Sequence, residues 1–379
     1  GRSTGVSGGS NPMETIEDER ERIQRACTRF LTHNHRQRPQ QVFSELAAFT
    51  DPELEEDHYG EGKLISGFEQ KIAALLGKEA AVFMPSGTMC QQIALRIWAE
   101  RRGHYNVAFH PRSHLEIGEF QGYRHLHSLS GILVGSPDRL LALDDLKRVA
   151  EPLGALLLEL PQREIGGQLP TWEELRAIVE WARERSIPTH LDGARLWECQ
   201  PFYGREYAEI AALFDTVYVS FYKVLSGIAG AMLAGPADVI AEARIWQRRH
   251  GGNLVHLYPY VLSAQKGLDQ HLGRMGTYWS KAKEIAAALA EFPQIEIVPN
   301  PPQTNMMHLF LRGEHDKLSA AALEIAEETG MWLFYRLSPT FLPAYQKFEF
   351  VVGDATLDLS TDEIAGLFQK LFSKSEIST

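Results

Sequence analysis

Short apolar runs alternate with helical patterns through the first two thirds of this chain. The runs predict buried strands, and in chain order they read AAVFM, NVAFH, GILVG, ALLLEL, PTHLDG, TVYVSF and GAMLAG. Between several of them, apolar residues recur three and four positions apart, which is typical of amphipathic helices; examples are ISGFEQKIAALLG and TWEELRAIVEWARERS. Strands that alternate with helices predict a parallel sheet covered on both faces.

The pattern changes near Ile245. The stretch VLSAQKGLDQHLGRMGTYWSKAKEIAAALAEF, which ends at Phe292, predicts one or two long helices. Several strand-like runs and two further helical patterns follow it. At the other end, a polar helical pattern runs from about Met13 to Leu31. We therefore expect an N-terminal helical segment over 13–50, a large α/β domain over 51–250 and a small C-terminal α+β domain over 251–379.

Residues 1–12, which read GRSTGVSGGSNP, are rich in glycine and serine and precede Met13. We interpret them as an artificial remnant and exclude them from fold reasoning. The rest of the chain shows no short-period repeat and no heptad pattern.

Composition narrows the class of protein. Of 379 residues, 44% are hydrophobic, which suits a large and a small domain with full cores. The apolar runs are shorter than the roughly 20 residues that a membrane helix needs, so we expect no membrane partner. The formal net charge of −11 makes nucleic acid an unsuitable partner. Cys27, Cys90 and Cys199 lack paired spacing, which favours a reducing, cytoplasmic compartment over disulfides or a zinc site.

Ligands of open parallel sheets bind at the carboxyl ends of the strands, so residues just after strands are the candidates for chemistry. Ser86, Gly87 and Thr88 follow AAVFM and open a helical pattern. Backbone N–H groups, two hydroxyls and a positive helix end suit a phosphate, although ordinary helix capping needs the same residues.

Asp192 ends the run PTHLD, and Gly193 after it permits a tight turn. Asp192 and Arg195 form a local ion pair, or they are two parts of a small-molecule site. In the second case the carboxylate partners a protonated ring nitrogen, and the planar guanidinium binds a substrate carboxylate.

Two further side chains complete the candidates. Lys223 follows the apolar run TVYVSF, beside the small residues of LSGIAGAMLAG. Its ammonium group either reaches solvent or loses its charge, and a neutral lysine amine forms a Schiff base with an aldehyde. His114 is either a packed or surface histidine or an aromatic ring laid against a flat cofactor.

The order of these signals resembles that of pyridoxal-phosphate enzymes of the aspartate-aminotransferase type. Among them the chain most resembles the threonine aldolase and β-eliminating lyase family. HLDGARLWE is similar to the family's Asp-Gly-Ala-Arg signature, the segment from YGEGK through MPSGTM to its N-terminal region, and TNMMHLFL to its Thr-Asn-Met strand. The resemblance runs from about Asp51 to the end.

This resemblance implies fold type I, with a mostly parallel seven-stranded sheet in the large domain. It implies that Lys223 holds pyridoxal 5'-phosphate as a Schiff base and shuttles a proton, and that Asp192 keeps the pyridine nitrogen protonated. His114 would cover the ring and stand near the substrate hydroxyl. Ser86, Gly87 and Thr88 would hold the phosphate, and Arg195 would bind the substrate carboxylate while contributing to the cofactor site.

The implied reaction is cleavage of an L-β-hydroxy-α-amino acid, of the threonine or allo-threonine type, into glycine and an aldehyde, or its reverse. The alternative on the same scaffold is β-elimination or dehydration of a β-substituted amino acid. A remoter alternative is a non-catalytic scaffold that keeps the fold. Enzymes of this type build each site at a dimer interface, so the resemblance also implies a homodimer or homotetramer, with Gly251 and Gly252 near the interface.

The chain departs from the family mainly around the substrate. RFLTHNHRQ stands where members carry an Asp-Leu-Arg-Ser-Asp-Thr run, and LELPQREIGG keeps Glu159 but lacks the Thr-His pair. Tyr222 replaces a small residue before the lysine. The late strand lacks the second carboxylate-binding arginine, for which the candidates are Arg336, Lys347 or Arg195 acting alone.

The chain has two His-x-His pairs, His33 with His35 and His125 with His127. Such a pair on a strand can bind zinc, but neither has a carboxylate or cysteine at ligand spacing. We therefore rank a metal site low and expect none.

Overall fold

The computed structural model describes residues 12–376, and its backbone divides into two compact units. The large unit contains residues 36–283 and 298–308. The small unit contains, within the described part of the chain, residues 12–35, 284–297 and 309–376. The expected remnant lies outside the described residues except for Pro12, which begins the first helix.

The strands, in chain order, are β1 (Arg29–Phe30), β2 (Ala80–Met84), β3 (Asn106–Phe109), β4 (Ser130–Leu133), β5 (Ala155–Glu159), β6 (Thr189–Gly193), β7 (Thr216–Ser220), β8 (Ala231–Gly235), β9 (Ile295–Val298), β10 (Met306–Arg312), β11 (Met331–Trp332), β12 (Leu337–Pro339) and β13 (Tyr345–Val351). The seven apolar runs predicted as strands all form strands, β2 to β8.

The α-helices are α1 (Pro12–Ala26), α2 (Pro39–Phe49), α3 (Lys63–Leu75), α4 (Gly87–Arg102), α5 (His114–Ile117), α6 (Gly122–His127), α7 (Leu143–Lys147), α8 (Trp172–Glu184), α9 (Gln200–Tyr203), α10 (Tyr207–Ala211), α11 (Ala237–Arg249), α12 (Tyr258–His271), α13 (Met275–Leu289), α14 (His315–Thr329), α15 (Asp354–Leu357) and α16 (Thr361–Glu376). The long helical stretch after Ile245 is thus two helices, α12 and α13. None of the described helices has the length and apolar character needed to cross a bilayer.

The large unit is built around one seven-stranded sheet, in the order β2-β8-β7-β6-β5-β3-β4. All neighbouring pairs are parallel except the two that involve β8, so six strands share one direction and β8 runs against them. Every residue of β6, β7 and β8 is buried, as expected for strands covered on both faces. The mostly parallel α/β sheet of fold type I is confirmed.

Helix α4 covers one face of this sheet and positions the turn before it. Its inner side packs with β2, β8 and α11 in a core cluster that includes Val82, Ile93 and Leu233. The Ser86 side chain caps the helix by accepting a hydrogen bond from the Met89 N–H at 3.3 Å. Gly103, with a φ of 70°, ends it.

The small unit is α+β, as expected for the C-terminal part of the chain. Its strands form a sheet in the order β12-β13-β10-β9 and a separate parallel pair, β1 with β11. Helices α1, α14 and α16 belong to this unit, and α14 packs against both of the others. The N-terminal helix ends at Ala26 and not near Leu31, because Arg29 and Phe30 pair with Met331 and Trp332.

The compact units differ from the expected domain boundaries. Residues 251–283 cluster with the large unit, because α12 packs against α2 and α3. Residues 12–35 cluster instead with the C-terminal part of the chain, because α1 packs against α14 and β1 pairs with β11. Hydrophobic patterning marks elements but not which distant elements they contact, so it placed both boundaries by chain order.

Candidate active site

The carboxyl ends of several strands of the large sheet meet at one cavity. Six of the seven site residues expected from the sequence line it: Gly87, Thr88, His114, Asp192, Arg195 and Lys223. The seventh, Ser86, is not among the described residues that line the cavity and caps α4 instead. Five further lining residues carry polar side chains: Glu119, Glu159, Arg163, Tyr218 and Tyr222.

The first two residues of α4, Gly87 and Thr88, line the cavity. Gly87 lies so close to Tyr218 that a Cβ placed on it would lie 1.9 Å from the tyrosine hydroxyl oxygen. Only glycine allows this approach. The positive end of α4 therefore opens onto the cavity beside the Tyr218 hydroxyl, as a phosphate site needs.

Asp192 is buried at the end of β6 and is held by donors on both oxygens. Oδ2 accepts a hydrogen bond from Gln91 Nε2 at 2.9 Å, and Oδ1 accepts one from the Ala194 N–H at 3.2 Å. Gly193 is the last residue of β6 and not part of the turn that follows. Asp192 thus has partners other than Arg195, as a two-part site requires.

A chain of buried hydrogen bonds runs from Asp192 into the core. Carboxylates only accept, so Gln91 turns its amide nitrogen to Asp192 and its oxygen to His190 Nε2 at 3.2 Å. His190 Nε2 must therefore carry the proton. Burial lowers the pKa of His190 to about 3, which keeps the ring neutral.

The other end of this series of hydrogen bonds requires the same donor and acceptor directions. The indole Nε1–H of Trp98 can only donate, and it donates to Thr216 Oγ1 at 3.0 Å. The Thr216 hydroxyl is then available to donate to His190 Nδ1 at 2.8 Å. We call Trp98, Thr216, His190, Gln91 and Asp192 the buried relay.

Glu159 reinforces the charge on Asp192. Burial, followed by the negative charge of Asp192, raises the pKa of Glu159 well above its ordinary value, and the two side chains are hydrogen-bonded. The raised pKa favours the neutral form of Glu159 and leaves the negative charge with Asp192. Glu159 also accepts hydrogen bonds from the backbone N–H groups of His114 and Arg163, at 3.2 and 3.1 Å, and from Gln162 Nε2, at 2.9 Å.

His114 begins α5 and forms a dyad with Glu119. Its Nδ1 lies 2.8 Å from Glu119 Oε2, and the Glu119 side chain is fully buried while that of His114 is 45% exposed. The hydrogen bond to Glu119 raises the pKa of His114 above its ordinary value of 6.5. Gly118 supports the ring from below, since a Cβ there would lie 2.5 Å from the imidazole Nε2.

Lys223 lies three residues beyond β7, with its Nζ 5.2 Å from the centroid of the Tyr222 ring. Burial lowers the pKa of Lys223 to about 8, with Arg195 and Arg163 as the next causes. About half of such amines are neutral at pH 8, which is the form that attacks an aldehyde.

The two arginines differ in their placement. Arg195 Nη1 lies 3.7 Å from Glu198 Oε1, and both side chains are largely buried. Arg163 comes from the short 3₁₀ turn Arg163–Ile165 that follows β5. Together with Lys223 they bring three cationic side chains to one side of the cavity.

Sequence reasoning missed Gln91, Glu119 and Arg163. Arg163 lies within LELPQREIGG, in a segment described only by what it lacks. Arg336 and Lys347, which the sequence offered as replacements for the family's second carboxylate-binding arginine, belong to the small unit. Arg336 lines a different cavity with Trp332, and Lys347 lies on β13.

The histidine pairs ranked low as metal sites have other partners. His35 Nε2 lies 2.6 Å from Asp358 Oδ2, and His127 Nε2 lies 2.8 Å from His250 Nε2. Within the described residues, one other group has metal-ligand spacing: Glu56, His58 and His256. Sequence reasoning missed it, because its two segments lie about 200 residues apart.

The residues present fit pyridoxal phosphate. The glycine cradle at the start of α4 suits its phosphate, and Asp192 offers a carboxylate to a pyridinium nitrogen. His114 offers a ring face, and Lys223 offers an amine with a lowered pKa.

Comparisons with known proteins agree with this fit. A family model described as β-eliminating lyase matches residues 46–313. A solved structure from Listeria monocytogenes, described as a candidate L-allo-threonine aldolase, is 44% identical with a TM-score of 0.90, covering 95% of this chain and 99% of that one.

Curated relatives agree as well. Aldolase vrtJ of Penicillium aethiopicum is 30% identical over 278 residues, which are 70% of this chain and 70% of that protein. The low specificity L-threonine aldolase of Escherichia coli K12 is 30% identical over 252 residues, 65% of this chain and 75% of that protein. This chain therefore belongs to the β-eliminating lyase family and is a pyridoxal-phosphate-dependent lyase.

Proposed function

We propose that this protein cleaves L-β-hydroxy-α-amino acids of the threonine or allo-threonine type into glycine and an aldehyde, or runs the reverse reaction. One observation carries the proposal: a single cavity combines Lys223, Asp192, a histidine–carboxylate dyad and two arginines. The names of the relatives from Escherichia coli and Listeria monocytogenes support it.

Four positions would hold the cofactor. Gly87 and Thr88 would bind the phosphate at the start of α4, Asp192 would pair with the pyridine nitrogen, and Lys223 would make the covalent link. When bound, pyridoxal phosphate withdraws electrons from the Cα of an attached amino acid. The buried relay holds Asp192 in place for that task, and the raised pKa of Glu159 favours leaving the negative charge on Asp192.

Arg195 and Arg163 would bind the substrate carboxylate. Arg195 lines the cavity, and the Glu198 carboxylate, 3.7 Å from its Nη1, attracts the guanidinium group. Arg163 would supply the second cation that the late strand of this chain lacks. A carboxylate held by two cations orients the substrate and so selects the bond that breaks.

His114 would take the proton from the β-hydroxyl. Its Nδ1 faces Glu119, so Nε2 is the atom available to the substrate. Glu119 stabilises the imidazolium that forms, which is the usual task of a buried carboxylate behind a catalytic histidine. Loss of this proton allows the Cα–Cβ bond to break and the aldehyde to leave. Lys223, once it carries a proton taken from the incoming amino group, would then give a proton to Cα.

Product identification tests the proposal. The holoenzyme is incubated with L-threonine, L-allo-threonine and L-phenylserine, and the products are separated. Aldehyde and glycine in equal amounts support cleavage of Cα–Cβ. A 2-oxo acid and ammonia would mean β-elimination, and the absent Thr-His pair and Tyr222 would then be the first features to test as its cause. A Lys223→Ala variant serves as the blank.

We also propose that the enzyme is a homodimer or homotetramer in a reducing, cytoplasmic compartment. Cys27, Cys90 and Cys199 are all free and buried, which suits such a compartment. Gly251, with a φ of 74°, and Gly252 shape the loop expected near the subunit interface. Sedimentation of the holoenzyme measures the assembly, and a monomer would contradict it.

A further inference from the structure

Glu56, His58 and His256 form a cluster outside the residues that line the active-site cavity. His256 Nε2 lies 3.3 Å from one oxygen of Glu56, and His58 Nε2 lies 3.6 Å from the other. The three ligand atoms all lie within 4.8 Å of one another. The cluster therefore joins two segments of the large unit that are distant in the chain.

A buried carboxylate holds these two segments together. Asp57 is 1% exposed, and its Oδ2 and Oδ1 accept hydrogen bonds from the N–H groups of Leu257 and Tyr258 at 2.7 and 2.9 Å. The Tyr59 N–H donates to the Val255 carbonyl at 3.0 Å. Glu56 and His58, on either side of Asp57, are thus anchored against the segment that carries His256.

The same contacts orient His256. Its Nδ1 lies 2.6 Å from the carbonyl oxygen of Asp57, which can only accept, so Nδ1 carries the proton. The lone pair of a neutral imidazole is then on Nε2, the atom that faces Glu56. A backbone carbonyl behind a histidine is the usual support for a histidine that binds a metal.

The arrangement is close to the one that a tetrahedral ion needs. Zinc bonds to nitrogen and oxygen at about 2.0–2.2 Å, which places its ligand atoms about 3.4 Å apart. The separation of 3.3 Å between Glu56 Oε2 and His256 Nε2 is already close to that value. His58 Nε2 lies 3.6 Å from the other oxygen of Glu56, and because the His58 side chain is 65% exposed, a rotation of this side chain brings its Nε2 to the ion.

We propose that Glu56, His58 and His256 bind one divalent transition-metal ion of the zinc class, with water as the fourth ligand. Two imidazoles and one carboxylate suit such ions better than magnesium or calcium, which prefer oxygen. The ion links the segment 56–58 to His256 and stabilises the large unit. This site is independent of the proposed reaction.

Binding is tested on the holoenzyme after treatment with a chelator and removal of the chelator. Co²⁺ is titrated in as a probe, and its visible absorption bands report the coordination geometry. Zn²⁺ is titrated calorimetrically, and the unfolding midpoint is measured with and without it. We expect one equivalent per chain, tetrahedral Co²⁺ bands and a higher midpoint with Zn²⁺.

Matched variants separate this site from other metal ligands. His256→Asn keeps an amide donor for the Asp57 carbonyl but removes Nε2, and His58→Gln and Glu56→Gln change exposed side chains. Each should weaken Zn²⁺ binding at least about tenfold. His35→Gln, which removes an exposed histidine paired with Asp358, should leave binding unchanged.

Two results would overturn the proposal. One is a wild-type protein that binds no more Zn²⁺ than the His58→Gln/His256→Asn double variant. The other is octahedral Co²⁺ that is bound equally by every variant. The metal-free unfolding midpoint of each variant shows that it is folded, so a loss of binding is not a loss of structure. Aldolase activity is not a readout, so failure of the proposed function leaves this test intact.

Discussion

The buried relay and the three cations of the active site lie around one cavity but are held differently. In the relay, each polar atom has a partner, and the directions of the hydrogen bonds follow from both ends. Among the cations, Arg195 lies 3.7 Å from the Glu198 carboxylate, and the pKa of Lys223 is lowered by burial and then by its cationic neighbours. The relay gives a fixed charge, whereas the cations are set to receive an anion.

The difference indicates which part of the site is general and which is particular. The residues around Asp192 match the pattern that the sequence shares with its family. Arg195 also belongs to that shared pattern, whereas Arg163 lies in LELPQREIGG and Lys223 follows Tyr222, two places where the sequence departs from it. We therefore expect substitutions of the relay to affect the rate with all substrates, and substitutions of the arginines to affect which substrate binds.

Lys223→Ala should have the largest effect, because it removes the covalent link and a proton carrier together. We expect kcat to fall at least about a thousandfold, since a positioned proton donor alone contributes about 10²–10⁴-fold. The absorbance of the lysine-bound cofactor should disappear. Lys71→Ala, in an exposed pair with Asp269, is the control. Normal turnover by Lys223→Ala would refute the assignment.

Asp192→Ala comes next, because it leaves the bound ring without its anion and removes the shorter of the two hydrogen bonds that the Gln91 amide donates. Breaking a buried charge pair costs about 3–5 kcal/mol, so kcat should fall by about 10² to 10⁴ with every substrate. Steady-state kinetics with threonine and phenylserine measure this. A fall in kcat with only one substrate would contradict the expectation that the relay affects the rate with all substrates.

Arg163→Ala should raise KM and leave the cofactor bound. A hydrogen bond to a charged group contributes about 1.5–3 kcal/mol, which is about ten- to a hundredfold in KM. Arg195→Ala should do the same and also lower the unfolding midpoint, because it removes the cation that lies 3.7 Å from the buried Glu198 carboxylate. Arg112→Ala, in an exposed pair with Asp138, is the control. An unchanged KM for Arg163→Ala would remove this residue from the carboxylate site.

Glu119→Gln should shift the pH profile. The hydrogen bond to Glu119 raises the pKa of His114, so the neutral base form appears at higher pH than it would without Glu119. The limb of kcat/KM that rises with pH should therefore move to lower pH in the variant. Glu100→Gln, in an exposed pair with Arg96, should leave the profile in place. A limb that stays fixed in Glu119→Gln would assign it to another group.

Trp98→Phe should have the smallest effect. It removes the outermost donor of the relay, while the carboxylate end still fixes the direction of Gln91. We expect about 1 kcal/mol less stability and at most about a threefold change in kcat. Thr216→Val, which leaves His190 Nδ1 without a donor, should cost more. Denaturant unfolding and steady-state kinetics compare the two variants. Equal effects of Trp98→Phe and Thr216→Val would contradict the donor and acceptor directions assigned to the relay.

The sequence predicted the strands of the large sheet and the positions where they end. Buried parallel strands are continuous apolar runs, and the chemistry follows directly after them, so Asp192 and Lys223 could be found locally. Gln91 could not, because it lies on the inner side of α4 and resembles an ordinary helix residue. Its role depends on contact with β6, about a hundred residues later.

Segments that meet only in three dimensions were missed for the same reason. β1 and β11 are two residues each, and their pairing joins positions about 300 residues apart. Arg163 was missed because its segment, LELPQREIGG, was compared with the family only for the Thr-His pair that it lacks. The cluster of Glu56, His58 and His256 has no spacing signal at all.

Gly118 has a consequence for the genetics of this enzyme. Because a single methyl group at this position would collide with the His114 imidazole, the placement of the proposed base is encoded in a residue that has no side chain. Any nucleotide change that replaces this glycine should shift the base, even though no functional group is lost. In a saturation library selected for aldol cleavage, codon 118 should therefore be recovered only as synonymous glycine codons, as invariant as the codon for Lys223.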